Sequence, residues 1–393
     1  MTRPTPCDVC IVGLGPVGAA LAARLGASGV RVTVLEREAG PYGLPRAAHL
    51  DGTALRVLAG VGVRPEGRDL DGFDLVDARG RLLLRGRPRE APPLGFPAGR
   101  LVHQPGVERA LRQRLAGLPS VRVRQGEEVA SVAPPDRGPG QAPASGVIVR
   151  LSSGEAVEAA LVVGCDGANS TVRESAGIAL QEGRFRQRWL VVDTLLREGA
   201  GPLAPGGRPL PDRLRQIAAP DAPATYVPFA DPRRRWEFRL RDGETPGAAT
   251  TPDAVRQRLA RFVDPGGVEI ERAAVYTFRG AVAEAWRRGR VLLAGDAAHL
   301  MPPFLGQGLG AGLRDVDALA PLVERVIREG APLVALDAYE RQRRPHVEAT
   351  VRQAVRLGRV VTLPQPLAAL RDGALRAAHR VGPLHRALLN IRG

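Results

Sequence analysis

The 393-residue chain contains no lysine; all 56 of its basic residues are arginine. It has three cysteines, two methionines and only 4% aromatic residues. Each shortage removes a class of protein. Three cysteines cannot build a disulfide framework. Cys7 and Cys10 form a C-x-x-C, but they fall on an apolar stretch that reads as the first strand. An odd separation on a strand sends the two side chains to opposite faces. Small buried residues are therefore expected there, not a metal or redox pair. Cys165 lies in another apolar strand and is read the same way, so no metal is expected. No apolar run reaches the length of a membrane span, and a strand begins almost at once, where a signal peptide has a different layout. A cytoplasmic protein without membrane contact is expected. The formal charge of +15 raises the question of nucleic acid. The arginines are scattered, however, aromatics are scarce, and no nucleic-acid motif is present. With abundant Ala, Gly and Pro, arginine in place of lysine looks like coding bias in a GC-rich genome.

What is present is a chain 44% hydrophobic, ordinary for a globular protein and long enough for two domains. Asp8 to Val12 reads as a buried strand, Pro16 to Leu25 as a helix and Val30 to Leu35 as a second strand, a βαβ unit with parallel strands. Thr53 to Val61 looks helical, Phe73 to Leu84 reads as a hairpin broken at Gly80, and Val107 to Leu118 as an amphipathic helix. Short strands fill Val121 to Leu161, interrupted by a Pro/Gly-rich loop at 134–145. Leu161 to Cys165 is a third buried strand. The composition then changes: segments near 189–196, 224–229, 235–241 and 269–279 read as strands of a separate sheet. The chain returns to the first unit at Val291, and helices over 308–328, 336–361 and 367–389 follow, the last broken at Pro383. The expected fold is α/β: a discontinuous Rossmann-like domain over 1–180 and 284–393, with a middle domain of sheet plus helices inserted at 181–283.

Gly13-Leu14-Gly15-Pro16-Val17-Gly18 fits GxGxxG between a strand and a helix. The first glycine allows the tight turn, the second lets backbone approach a pyrophosphate, and the third permits close helix packing. The helix N-terminus offers free amides to an anion. Glu36 ends the next strand, where a carboxylate can take ribose hydroxyls and would oppose a 2′-phosphate. Asp166-Gly167 ends another buried strand, with Ser170 and Arg173 at the start of a helix. The run from Gly295 to Gly308, GDAAHLMPPFLGQG, begins after the apolar run 290–294. It places Asp296 at a strand end, Pro302 and Pro303 in a loop, and Gly306, Gln307 and Gly308 before a helix. An acid there can hold a ribityl hydroxyl, and bare amides can meet the edge of a flat ring. Open α/β sheets bind ligands at such strand ends.

On these three motifs, in this order, the chain resembles the class A flavoprotein aromatic hydroxylases, the para-hydroxybenzoate hydroxylase group. Within it the chain is most similar to 3-(3-hydroxyphenyl)propionate hydroxylases. The supporting stretches are Leu44-Pro45-Arg46-Ala47, Leu50-Asp51-Gly52, His103-Gln104-Pro105, Trp189 to Asp193, Thr225-Tyr226-Val227, Arg235-Trp236-Glu237-Phe238 and Arg343-Arg344-Pro345-His346. The resemblance covers nearly the whole chain. It implies FAD as cofactor, with Arg46 and Gln104 near ribose, pyrophosphate and ribityl, and Asp166 serving both FAD and the reductant. It also implies Gly295 and Asp296 at the ribityl or pyrophosphate, and Pro303, Gly306, Gln307, Gly308, Leu309 and Gly310 along the isoalloxazine. Arg37, Val129 and Gly167 join the cofactor contacts. NADPH or NADH is implied as a transient reductant, since there is no second GxGxxG. The family usually carries Asn where this chain has Gly310, so that side-chain contact is lost or replaced by backbone.

The implied reaction is insertion of one atom of O2 into an aromatic, phenolic substrate through a flavin C4a-hydroperoxide. A phenol reacts better as phenolate, so a general base is useful. His49, Asp51 and Tyr226 are the candidates, and Trp189, Trp236, Pro302 and Phe304 are candidate pocket residues. A flavin halogenase would need a catalytic lysine, which is absent. A flavin-dependent epoxidase or Baeyer–Villiger enzyme on the same fold, and a non-catalytic flavin-binding protein, stay open. The expected partners are a small aromatic molecule and O2, with the chain as monomer or homodimer.

Overall fold

The structure, a computed structural model, describes residues 5–40, 49–70, 72–86, 95–133, 146–198, 203–230 and 232–380. The 134–145 loop, Arg46 with its neighbours, and Pro383 lie outside the described residues.

The first sheet runs, edge to edge, through Arg287–Arg288, Val291–Leu293, Ala156–Gly164, Thr5–Val12, Val32–Glu36 and Val121–Gln125; Val147–Leu151 and Val129–Ala133 extend from Ala156–Gly164. Thr5–Val12 is paired in parallel on both sides, and Ala156–Gly164 also pairs in parallel with Val291–Leu293. These strands are continuous apolar runs because helices cover both faces of such a sheet. Val9, Cys10, Ile11, Val34, Leu161, Val162, Val163 and Leu292 are fully buried. Cys7 and Cys10 are free thiols within this core, as the alternation implies, and burial pushes both upward in pKa. Register lines up the strand ends. Leu35 pairs with Val12, Val12 with Gly164, and Gly164 with Leu293. The three glycine- and acid-bearing turns therefore leave the sheet at one row.

The second sheet is ordered His299–Leu300, Val268–Ala283, Leu180–Leu196, Arg233–Arg239, Ala224–Val227, Leu214–Ile217, Phe73–Val76 and Leu82–Gly86. The hairpin read from sequence over 73–84 and counted with the first unit runs to Gly86 and pairs with this sheet: Phe73–Val76 lies parallel to Leu214–Ile217. A hairpin shows its own turn in sequence but not the edge it joins. A small third sheet of His49–Asp51, Gly99–Val102 and Gly67–Asp69, absent from the sequence reading, carries two of the candidate site residues.

Alternation along Leu180–Leu196 separates the faces of the second sheet. Leu190 and Val192 pair with Phe238 and Trp236, and Tyr226 also pairs with Trp236. That face packs against Val255 and Leu259 of the Pro252–Leu259 helix. Trp189 points the other way, toward Phe278 and Phe304. No helix among the described residues is long and apolar enough to cross a membrane.

Candidate functional site

At the end of Thr5–Val12 the chain turns at Gly13, whose φ is +101°. A Cβ there would lie 2.5 Å from the Cys165 carbonyl oxygen, and one at Gly18 would lie 2.0 Å from that of Gly13. Glycine at both positions is what lets the helix Pro16–Ala27 sit down on the turn. Gly15 is different: a Cβ there would have no atom within 4 Å. Gly15 is also the N-cap of a helix with no side-chain cap. Its first N–H groups are thus left for an anion, and bare backbone faces open space. The Val17 side chain packs against Gly295 and Gly312, so backbone is what Val17 can offer a ligand.

Glu36 reaches back across this turn. Its Oε2 accepts the Leu14 N–H at 2.7 Å and its Oε1 the Glu38 N–H at 3.0 Å. Each oxygen keeps a lone pair for a ribose hydroxyl. Around it lies a cleft with about 1050 Å³ of space continuous with solvent. Gly13, Gly15, Pro16, Glu36, Arg37, Gln104, Val129, Asp166 and Gly167 all line it. Gln104 Nε2 donates to Glu108 Oε1 at 2.8 Å. Asp166 accepts from Ser170 Oγ at 2.5 Å and from the Val172 N–H at 3.0 Å, and burial pushes its carboxyl up. It thereby supports the N-terminus of helix Thr171–Ser175. Arg173 Nη1 ties this turn to the next by donating to the carbonyls of Ala168 at 3.1 Å and Ala297 at 3.3 Å.

The third turn begins at Gly295, with φ +61°, and presents Asp296 exposed at its surface. Beneath it lies a charged group centred on Asp315, to which the sequence reading gave no role although His299 and Arg343 stood in the stretches it quoted. Asp315 is fully buried, accepts the Gly295 N–H at 3.1 Å, and meets His299 Nε2 at 2.7 Å and Arg343 Nε at 3.0 Å. Burial would raise this carboxyl, but the facing His299 and Arg343 hold it below the ordinary carboxylate range. Arg343 Nη2 also donates to the Ala311 carbonyl at 3.2 Å. The only sequence signal was an acid on the apolar stripe of helix Gly308–Arg328, with Val316 and Leu319 buried beside it.

The chain then passes Pro302, makes a short turn at Pro303–Leu305, goes left-handed at Gly306 (φ +63°) and enters the helix at Gly308 with no side-chain cap. His49 is clipped to this segment: its Nδ1 lies 3.3 Å from the Gly306 carbonyl oxygen. Burial pulls the His49 imidazole down, favouring its neutral form. Asp51 Oδ1 accepts the Ala54 N–H at 2.9 Å, capping helix Gly52–Gly60, while Oδ2 pairs with Arg314. Both Asp51 oxygens are thus engaged. Arg314 also donates to Gln307 Oε1 at 3.3 Å. A Cβ on Gly310 would sit 3.2 Å from Arg314 Nη1: the guanidinium stands where a side chain at 310 would begin. Leu309 packs against the core.

Of the pocket candidates, Trp189, Pro302 and Phe304 come together. Trp189 stacks on Phe278 at 5.6 Å and meets Phe304 edge-on at 5.4 Å. Pro302 lies beside Gly280 of the adjoining strand. Trp236 and Tyr226 are on the opposite face of the sheet, their rings 4.5 Å apart in the core beneath helix Pro252–Leu259. Burial pushes the Tyr226 hydroxyl up to about 12. Neither is placed to meet a ligand at the Gly306 turn, and Tyr226 is ill suited to act as a base. Among the described residues no group of three or more His, Cys, Asp or Glu side chains could hold a metal ion.

Two uncapped helix N-termini, an open glycine turn, a ribose-ready carboxylate and a glycine-rich segment, joined along one row of strand ends, fit a flavin dinucleotide. Comparison with known proteins agrees. Residues 6–354 match the family described as FAD binding domain. The chain is 38% identical over 95% of its length to a probable NADH-specific resorcinol 4-hydroxylase of Rhodococcus jostii, covering 69% of that protein. It is 34% identical over 100% of its length to a 3-(3-hydroxy-phenyl)propionate/3-hydroxycinnamic acid hydroxylase of Mycolicibacterium smegmatis, covering 68% of it. The chain thus spans about two-thirds of the length of these curated relatives. Among solved structures, p-nitrophenol 4-monooxygenase PnpA from Pseudomonas putida is similar, with TM-score 0.84 and 26% identity, over 98% of this chain and 97% of that one. The chain belongs to the FAD binding domain family, among its flavin-dependent aromatic hydroxylases.

Proposed function

We propose that this protein hydroxylates the ring of a small phenol, held between the Pro303–Gly306 turn and the Trp189 face of the second sheet. The observation that carries this reading is the buried junction of Trp189, Phe278 and Phe304, which fastens the inserted sheet to the turn that leads into the flavin-lining glycines. Bound FAD, reduced by NADH or NADPH, supplies the chemistry that activates O2, sending one oxygen atom to the ring and the other to water.

This chain's residues hold and arrange. Gly13, Gly15, Pro16, the Val17 amide and Gly18 receive the pyrophosphate, Glu36 the adenosine ribose, and Arg37, Gln104, Val129, Asp166 and Gly167 line the remaining cleft. Gly295 and Asp296 meet the ribityl chain, and Pro303 and Gly306 to Gly310 lie along the ring. His49, with Nδ1 turned to the Gly306 carbonyl and Nε2 packed against Gly99, holds the Gly306 turn in place beside the ring rather than taking a proton from the substrate. Asp51 anchors Arg314 rather than acting as a base. Trp189, Pro302 and Phe304 close the pocket against water. We read residues 1–180 and 284–393, apart from the 73–86 hairpin, as the cofactor unit and 181–283 as the substrate unit. The protein works in the cytoplasm as a monomer or homodimer, without nucleic acid.

The test is direct. Purified protein is expected to be yellow and to oxidise NADH or NADPH faster when resorcinol is added, with a product bearing one added oxygen. Bound flavin with no stimulation across a broad panel of phenols would leave a flavin-binding protein, and an ester product would mean Baeyer–Villiger chemistry.

A further inference from the structure

The Trp189 face of the second sheet carries more than aromatics. Val191 lies on it, two residues along from Trp189. Val191 pairs with Glu237, Glu237 with Thr225, and Thr225 with Gln216. Cross-strand partners share a face, so one row runs from an apolar residue to a carboxyl, a hydroxyl and an amide. The row is bracketed by the cofactor unit on both sides. Phe304 of the Pro303–Leu305 turn covers one end through Trp189. At the other, Phe229 lies 5.4 Å from the Arg235 guanidinium and packs with Leu101, on the strand that pairs with His49–Asp51.

Glu237 is half-buried on this closed-over face, and burial pushes its carboxyl up. The Arg235 charge and the Thr225 hydroxyl offset part of that burial, while the arginines give their hydrogen bonds to another acid. Arg235 makes a two-point contact with Asp193 at 2.7 and 3.1 Å, and Arg272 joins the same carboxylate at 3.3 Å. Thr225 Oγ1 donates to Gln216 Oε1 at 3.0 Å. Trp189 itself is fully buried, and Glu237 is the member of the row that keeps exposed surface, so a ring lying on this face would meet the Glu237 carboxyl. Asp193 is already met by two guanidinium groups, which leaves Glu237 as the acid of this face that a substrate carboxylate would have to approach.

We propose that Glu237 is the substrate-recognising residue: its carboxyl hydrogen-bonds a hydroxyl of a neutral phenol and selects such phenols over rings that carry a carboxylate. The proposal rests on the phenol-hydroxylase reading above. It separates the two kinds of substrate named in the relatives, resorcinol on one side and 3-(3-hydroxyphenyl)propionate on the other.

The test titrates the FAD-loaded protein with each of these two compounds and follows the flavin absorbance, so that binding is read without turnover. Wild type is expected to bind resorcinol at least about tenfold more tightly than the propionate. Glu237→Ala weakens resorcinol by roughly 10- to 100-fold, the range for losing one hydrogen bond to an ionisable group. Glu237→Gln keeps resorcinol within about fivefold, because the amide still hydrogen-bonds, and narrows the preference over the propionate because the amide cannot ionise and its N–H groups can donate to a carboxylate. FAD affinity and Tm are the same in all three, which a merely structural role for Glu237 would not produce. If Glu237→Ala does not fold, Glu237→Gln still reads the change of selectivity. Equal binding by wild type and variants, or a wild-type preference for the propionate, overturns the role of Glu237 alone. If wild type holds FAD and neither compound perturbs it, the phenol-hydroxylase reading falls and this proposal with it.

Discussion

Asp315→Ala is expected to cost about 3–5 kcal/mol of folding stability, the range for removing one partner of a buried ion pair. The change leaves a buried guanidinium at Arg343 and strips His299 and the Gly295 N–H of the acceptor they share. Against the ~5–15 kcal/mol that holds a domain together, most of the margin goes. Urea unfolding at neutral pH measures it; a loss under about 1 kcal/mol would show the group to be dispensable. The pH dependence has a definite sign. The folded carboxyl is held below the ordinary 3.8, so its contribution is fully present above the unfolded value and disappears as pH falls through the folded one. Asp315→Asn removes that acid-side loss. His49 works in a different window: its imidazole is pulled below the ordinary 6.5, so unfolded chains bind its proton first and stability drops as pH falls through and below about 6.5. Because Asp315 holds Gly295 from beneath, the same substitution is expected to weaken FAD binding.

That buried group also marks where the sequence stops being readable. The parallel core could be read because its strands are apolar runs, and the three turns because glycine and acid residues follow them directly. The common row of Leu35, Val12, Gly164 and Leu293 follows from such local signals plus the rule that ligands gather at strand ends. The contacts of Asp315 join residues 16 and 28 positions apart through three elements, and nothing local announces them. Trp236 and Trp189 show a second limit. Each is a large apolar residue on a strand, and either could have lined the pocket. What separates them is register, since Trp236 sits opposite Val192 and Val192 points away from Trp189, together with which face a helix covers. Alternation was visible in the sequence; the pairing partner and the covering helix were not. The pairing of the 73–84 hairpin with the second sheet was hidden for the same reason.

The glycines of the first turn can separate fold from cofactor. Gly13→Ala should damage both. A side chain at φ +101° is strained by about 1–2 kcal/mol, and its Cβ would press on the Cys165 carbonyl at 2.5 Å. Relief requires moving backbone that is pinned on both sides, since Gly13 N–H donates to Leu35 and Cys165 N–H to Val12, each at 2.8 Å. Overpacking of this kind adds about 1–3 kcal/mol, and the variant is expected to purify without flavin. Gly29→Ala is the control: its φ of +80° is also positive, but no atom lies within 4 Å of the added methyl. It should lose only the ~1–2 kcal/mol of strain and stay yellow. Gly15→Ala isolates the ligand. Its backbone is ordinary, at φ −67°, and its Cβ would enter empty space, so the apo protein should unfold within about 0.5 kcal/mol of wild type. If the pyrophosphate approaches that bare backbone, the methyl stands in its way, and FAD should bind roughly 10- to 100-fold more weakly, about 1.4–2.8 kcal/mol. A Gly15→Ala protein with wild-type flavin affinity would place the pyrophosphate elsewhere, whatever Gly13→Ala does, because only at Gly15 does the space in front of the glycine belong to the ligand and not to the fold.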